Sequence, residues 1–259
     1  MINILRLIKF NLKLDKKKIF MWSISSFAII FIYMILFPYV QDIAKVEMQM
    51  MPEELLQVFG ISSYTDFSNF TNYFESVYNM FLLAITIYSV ILGVSLVQKE
   101  EKNKTIEFLY SLSLTRSNII ISKVVIAVIT VICIIVSSFL STSLAGFING
   151  GTTFNIKEII DICLNSMFVT FIAISLGIFL SGGYLTKSNT AVGACSIVIM
   201  YLCGVLSSML GDNYEFLKYL SPFEVIKTDN ISAISLYLLI AIVLIIIGVK
   251  NYSKRDLLI

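Results

Sequence analysis

Hydroxyl groups are the main chemistry-bearing side chains in the most apolar part of this chain. They cluster over two turns of a predicted helix, at Ser137, Ser138, Ser141, Thr142 and Ser143. A hydroxyl donates and accepts hydrogen bonds but carries no charge. The cluster therefore favours close packing of helices through hydrogen bonds, and it is also compatible with the lining of a polar translocation path.

Groups suited to acid–base, redox or metal chemistry are scarce. The 259 residues include no histidine, and no Asp, Glu, Lys or Arg lies within the long apolar stretches. Proton relays, ion-coupled carriers and intramembrane enzymes depend on such groups, so the sequence argues against all three. The cysteines lie in or beside apolar stretches without a CxxC spacing, which indicates small apolar side chains, and we expect no metal site. They are Cys133, Cys163, Cys195 and Cys203.

These side chains must be positioned by membrane-spanning helices. Hydrophobic residues make up 58% of the chain and charged residues only 14%, a balance that requires an apolar solvent. A bilayer core of about 30 Å needs about 20 apolar residues of helix, and six stretches qualify. We therefore predict an all-α integral membrane protein with a single transmembrane domain over residues 1–259. Its predicted spans are 19–40, 77–97, 124–147, 162–185, 190–210 and 231–249, with an external loop at 41–76.

The basic residues predict the direction in which the spans run. Fifteen of the 19 lysines and arginines fall on the side of the two termini and of the segment between the second and third spans. Loops rich in lysine and arginine stay on the cytoplasmic side of a membrane. The sequence therefore predicts a multi-pass protein of the plasma membrane with both termini in the cytoplasm.

A basic segment, residues 2–18, precedes the first span. Five of its basic side chains fall within about 100° of arc on a helix drawn at about 100° per residue, and leucines and isoleucines occupy the rest. This pattern predicts an interfacial helix that buries its apolar side among acyl chains and faces anionic head groups. A plain basic flank that only orients the first span is the alternative. The five residues are Arg6, Lys9, Lys13, Lys16 and Lys17.

The most informative cytoplasmic segment is residues 98–123, QKEEKNKTIEFLYSLSLTRSNIIISK. Ile106, Leu109 and Tyr110 have helical spacing, so a short helix with an apolar face is predicted there. Thr115 is a suitable N-cap for a second helix that continues into the third span. An exposed apolar face fits either a protein partner or the membrane surface, and the spacing does not choose between them.

This segment resembles the signature of ABC-2-type permeases, in which E-x-x-x-G-T-x-E-x-L-L-S-x-P-x-S-R precedes a helix containing S-K. The chain departs from that pattern at Lys104, where Gly is usual, and at Ser113, where Pro is usual. MPEELLQVFG at 51–60 and SPFE at 221–224 are similar to two further pieces of these permeases, so the resemblance spans most of the chain. The matching positions in the segment are Glu100 or Glu101, Thr105, Glu107, Leu109, Ser111, Arg116, Ser122 and Lys123.

The resemblance implies a type V exporter-like permease that moves an amphipathic, drug-like or peptide substrate outward, as in resistance to antimicrobial peptides. Besides the lipid bilayer it implies two partners, an ABC ATP-binding subunit and a second permease in a homodimer or heterodimer, and no nucleic acid. The chain has no G-x-x-x-x-G-K-[ST] phosphate loop, so ATP and Mg would be bound by the partner, and the chain itself would be no enzyme and hold no cofactor. Residues 98–123 would act as a cytoplasmic coupling helix. The implied ATPase-coupling residues are Glu100, Glu101, Thr105, Ile106, Glu107, Leu109, Ser111 and Arg116.

Two other functions compete with this one. A non-transporting membrane scaffold or sensor would use the same frame and would differ only in that no substrate crosses the membrane. An ATP-independent channel or carrier is disfavoured by the charge-free spans and by a cytoplasmic helix with an apolar face.

Overall fold

The structure, a computed structural model, describes residues 4–47, 69–102, 116–182, 189–210, 212–228 and 230–254. These residues are 96% helical and include no strand, which confirms the all-α prediction. Short 3-10 segments lie at Gly151–Thr153, Asp212–Leu220 and Ile226–Thr228. The helices are α1 (Ile4–Ile35), α2 (Phe37–Glu47), α3 (Phe70–Lys102), α4 (Arg116–Asn149), α5 (Ile156–Gly182), α6 (Asn189–Leu210), α7 (Pro222–Val225) and α8 (Ile231–Lys254).

Six of these helices are long and apolar enough to cross a membrane, namely α1, α3, α4, α5, α6 and α8. Each of them overlaps one predicted span, so the prediction of six transmembrane helices is confirmed. α3 and α4 are longer than predicted at both ends, because their helical structure continues from the apolar stretch into polar segments. At about 1.5 Å per residue each is about 50 Å long, which exceeds a bilayer core of about 30 Å.

α1 runs without interruption from Ile4 to Ile35. The pattern of basic and apolar residues predicted a separate interfacial helix that ends at residue 18, but the described structure has no helix end there. The reason is local, because residues 4–35 contain neither proline nor glycine to end the helix. The basic segment and the first span therefore form one helix.

The first span ends before the predicted residue 40. Leu36 separates α1 from α2, and Pro38 lies in the first turn of α2, where its missing N–H costs no hydrogen bond within the helix. The predicted external loop at 41–76 is partly helical, since α2 continues to Glu47 and α3 starts at Phe70. Residues 51–60, which resemble an external helix of ABC-2 permeases, lie outside the described residues.

Asparagine precedes three of the spanning helices. Asn69 Oδ1 accepts a hydrogen bond from the backbone N–H of Thr71 at 2.9 Å, at the start of α3. Asn155 and Asn230 accept equivalent bonds, both at 3.2 Å, at the starts of α5 and α8. An acceptor at this position satisfies an N–H that has no partner inside the helix and contributes about 1 kcal/mol of stability.

α3, α4 and α5 form the inside of the bundle. In the most apolar stretch of each helix, 56% of the residues of α4 and α5 are buried, against 17% for α1 and α6 and 11% for α8. α1 packs along α4, α3 and α8 pack on α5, and α6 packs on α3. α5 is therefore the central support of the bundle, while α1, α6 and α8 present most of their apolar surface to the surroundings.

Candidate functional site

The predicted hydroxyl cluster lies in the contact between α1 and α4. Ser138 Oγ and Ser26 Oγ are 2.7 Å apart and share a hydrogen bond. One turn further along, Ser141 Oγ donates to the backbone carbonyl of Phe27 at 2.9 Å. Ser138 and Ser141 are fully buried. The two serines therefore join α1 to α4 in the second half of both helices.

The other members of the cluster do not bond to α1. Ser137 Oγ donates to the Ile134 carbonyl at 2.8 Å, and Thr142 Oγ1 donates to the Ser138 carbonyl at 3.0 Å. Ser143 Oγ is buried and has no hydrogen-bond partner among the described residues. The geometry therefore supports helix packing for Ser138 and Ser141, and the lining of a substrate path stays a prediction.

A second polar link crosses the core between α3 and α5. Tyr78 OH and Ser166 Oγ are 3.0 Å apart, and both side chains are buried. Cys163 and Ser138 lie beside the same phenol. We call Ser26, Ser138, Tyr78 and Ser166 the hydroxyl network, and it connects α1, α4, α3 and α5. The sequence analysis missed Tyr78 and Ser166, because single polar residues in an apolar span have no spacing that marks them.

The hydroxyl network is neutral. Among the described residues, no three His, Cys, Asp or Glu side chains come together as metal ligands would. All four cysteines are free thiols, with Cys163 buried and Cys195 exposed. The described interior can therefore bind polar groups only through hydrogen bonds, and each bond between its helices is worth about 0.6 kcal/mol on average.

Two pairs of glycines bring helices into backbone contact. Gly93 of α3 faces Gly177 of α5, and a Cβ at Gly93 would lie 2.9 Å from Gly177 Cα. Gly182 of α5 faces Gly248 of α8, where a Cβ at Gly182 would again lie 2.9 Å from the opposite Cα. Real Cβ atoms essentially never come within 3.0 Å of another atom, so both crossings require glycine. The small residues let α5 support α3 and α8 at close range.

Threonines and aromatic rings join the helices at the end of the bundle opposite to the N-terminus of α1. Thr71 Oγ1 donates to the Thr153 carbonyl at 3.0 Å, and Thr153 Oγ1 accepts from the backbone N–H of Phe70 at 3.2 Å. Phe70 and Phe154 pack edge to face with ring centroids 5.8 Å apart. These contacts join the start of α3 to the connection between α4 and α5.

The SPFE segment is buried against α6. Pro222 starts α7, and Phe223 packs edge to face on Tyr201 of α6 with ring centroids 5.4 Å apart. Gly204 makes room for the segment, because a Cβ at this position would lie 2.7 Å from Ser221 Oγ. The residues before the last span are therefore part of the packed bundle.

Two described helices flank the predicted coupling segment. α3 ends at Lys102 and α4 starts at Arg116, each beyond the apolar stretch of its own helix. Glu100 and Glu101 lie in the last turn of α3. The role of these residues in coupling stays a prediction. The other predicted coupling residues lie outside the described residues, and they are Thr105, Ile106, Glu107, Leu109 and Ser111.

The five basic residues predicted to face the membrane surface lie on one side of α1, and all five are exposed. On the opposite side, Leu7 is 6% exposed and Asn11 Nδ2 donates to Ser122 Oγ of α4 at 3.1 Å. This basic face consists of Arg6, Lys9, Lys13, Lys16 and Lys17.

One family matches nearly the whole chain. Its model is described as the C-terminal domain of the multidrug efflux system permease Rv1217c, and it matches residues 7–252. No curated protein matches the chain. The match includes the major part of every spanning helix. The chain is therefore a multi-pass membrane protein that belongs to the transporter permease family of the Rv1217c C-terminal domain.

Proposed function

We propose that the chain is the membrane-spanning subunit of an ABC-2-type exporter. Two permease subunits, identical or different, form the translocation unit, and a separate subunit binds ATP and Mg and hydrolyses ATP. The description of the family as a multidrug efflux permease supports export of an amphipathic, drug-like or peptide substrate. The unit acts in the plasma membrane with its termini in the cytoplasm, which agrees with the placement of the basic residues.

The helices beside the coupling segment carry the proposal. α3 and α4 are 33 and 34 residues long, and both continue past their apolar stretches toward residues 103–115. Hydrogen bonds along each helix make it a single mechanical unit. Because α3 packs on α5 and α4 packs on α1, a displacement of residues 103–115 by an ATP-binding partner would move both halves of the bundle.

The lack of charge in the interior supports an external source of energy. No Asp, Glu, Lys, Arg or His lies within the six predicted spans, and the hydroxyl network is neutral. A carrier driven by protons needs a group inside the membrane that changes its protonation. ATP hydrolysed by a separate subunit therefore fits this interior better than a proton gradient does.

Export is tested in inverted membrane vesicles from cells that express the chain together with its ATP-binding partner. We expect a lipophilic cationic dye to accumulate in the vesicles on addition of ATP, with or without a protonophore. Accumulation that requires a proton gradient and ignores ATP would contradict the proposal and indicate an ATP-independent carrier. Failure of any dye or peptide to accumulate, with the partner bound and hydrolysing ATP, would indicate a scaffold or sensor.

Two variants test the coupling segment itself. We expect Glu107→Lys, and separately the double change Ile106→Asp with Leu109→Asp, to abolish copurification of the ATP-binding subunit without loss of membrane insertion. The matched control is Glu75→Lys, which reverses the same charge at an exposed position near the other end of α3. Unchanged copurification and ATP turnover in the coupling variants would refute their role, and so would an equal loss in the control.

A further inference from the structure

No acidic group among the described residues neutralises the basic face of α1. Arg6, Lys9, Lys13, Lys16 and Lys17 are exposed, and none of them makes an ion pair among the described residues. The acidic residue of this stretch, Asp15, lies outside the arc that the five occupy and pairs with Lys18 at 3.7 Å. A concentration of unpaired positive charge attracts a negatively charged partner.

Hydrogen bonds between α1 and α4 show which residues of α4 lie at the same height in the bundle as the basic face. Asn11 bonds to Ser122 and Ser26 bonds to Ser138, which are 111 and 112 positions apart, so the two helices run parallel in a constant register. By this register Lys13 is level with Val124, the first residue of the charge-free stretch of α4. Residues 13–17 therefore lie at the same height as the first turn of the apolar stretch of α4.

Apolar side chains border the basic face. Leu5, Phe10 and Leu14 are 70%, 55% and 62% exposed. A soluble acidic protein could neutralise the charges but could not reach lysines beside the apolar stretch of α4. A phospholipid fits both properties, because lysine stems lie along acyl chains while their ammonium groups reach the phosphates.

We propose that the basic face of α1 selectively binds anionic phospholipid in the leaflet at the N-terminal end of that helix. The lysines hold the phosphates of these lipids, and Leu5, Phe10 and Leu14 contact their acyl chains. The inference is independent of the transport proposal, since it concerns only lipid around α1.

A probe variant, Phe10→Trp with Trp22→Phe, allows a direct test, because Phe10 is exposed next to the basic face and Trp22 is the only tryptophan in the chain. The protein is reconstituted in mixed vesicles of phosphatidylglycerol and phosphatidylcholine in which one lipid or the other carries brominated acyl chains, which quench tryptophan fluorescence on contact. We expect brominated phosphatidylglycerol to occupy the site next to the introduced tryptophan with a preference of about fivefold, the effect of a single lysine near a lipid surface. The preference should fall toward one in about 1 M salt, where the Debye length is about 3 Å.

Variants separate charge from structure. Changing Lys9, Lys13, Lys16 and Lys17 together to glutamine should reduce the preference to about one, whereas changing the same four to arginine should keep it. The same charge variants are also made with Phe10 and Trp22 in place to check the fold. The Trp22 ring lies 4.0 Å from that of Tyr88, so an unchanged emission maximum in phosphatidylcholine shows that this packing is intact in a variant.

Two outcomes would overturn the proposal. The first is equal quenching by both brominated lipids in the probe variant at low salt, a measurement that leaves the basic face unchanged. The second is a preference that survives when the four lysines are changed to glutamine. If the preference is one and the glutamine variant also loses the ATP-binding subunit, the basic face binds a protein instead.

Discussion

Replacing Gly93 with alanine should force α3 and α5 apart. The new Cβ would lie 2.6 Å from the Ile174 carbonyl oxygen and 2.9 Å from Gly177 Cα, and neither backbone atom can rotate away as a side chain would. Ordinary contact begins at 3.4 Å, so the helices must separate by about 0.8 Å, the difference between 3.4 and 2.6 Å. Overpacking of this kind costs about 1–3 kcal/mol of folding free energy.

Thermal unfolding of the purified protein in detergent measures this cost. The loss of helical circular dichroism gives a Tm, and for a chain of this size each 1 kcal/mol lowers the Tm by about 2–4 °C. Alanine regains about 1 kcal/mol of helix propensity over glycine, so the net cost of Gly93→Ala is up to about 2 kcal/mol. We therefore expect this change to lower the Tm by up to about 8 °C.

Gly193→Ala is the matched control. A Cβ at Gly193 would meet a methyl group of Val90 at 3.0 Å, and a side chain can move by a few tenths of an ångström where a backbone cannot. Alanine also favours the helical state over glycine by about 1 kcal/mol, so the control should unfold no earlier than the wild type. Equal Tm values for the two variants would refute the reasoning. So would strict additivity of Gly93→Ala and Gly177→Ala, because both changes act on the same crossing.

Two further substitutions test the hydroxyl network by the same unfolding measurement. Tyr78→Phe removes a buried hydrogen bond between α3 and α5 and should cost about 0.5–1.5 kcal/mol of folding free energy. The control, Tyr39→Phe, changes an exposed side chain and should have no effect. Equal effects of the two changes would contradict the assignment. Ser138→Ala should cost about 0.6 kcal/mol, more than Ser137→Ala, because only Ser138 bonds to α1. A double-mutant cycle of Ser138→Ala with Ser26→Ala should give a nonzero coupling energy. A coupling energy of zero would show that this hydrogen bond does not contribute to stability.

Local properties of the sequence were sufficient for the frame of this protein. Each span is a run of neighbouring residues whose length matches the bilayer, so six spans were predicted and six helices are present. The starts of three helices are also marked by neighbouring residues, since Asn69, Asn155 and Asn230 each precede a helix that they cap. The predicted end of a helix at residue 18 was wrong, because the sequence changes there from basic to apolar while its preference for helical structure stays the same.

The sequence by itself thus determined the membrane class, the number of spans and the absence of Asp, Glu, Lys and Arg from their cores. Only the tertiary structure decided that Ser138 faces Ser26 of α1, that Tyr78 meets Ser166, and that Gly93 touches Gly177. In water, an apolar stripe on a helix shows which face is buried. In lipid every face of a spanning helix is apolar, so no local pattern shows which face is buried. The rotation and register of each helix follow instead from the fit of side chains on different helices.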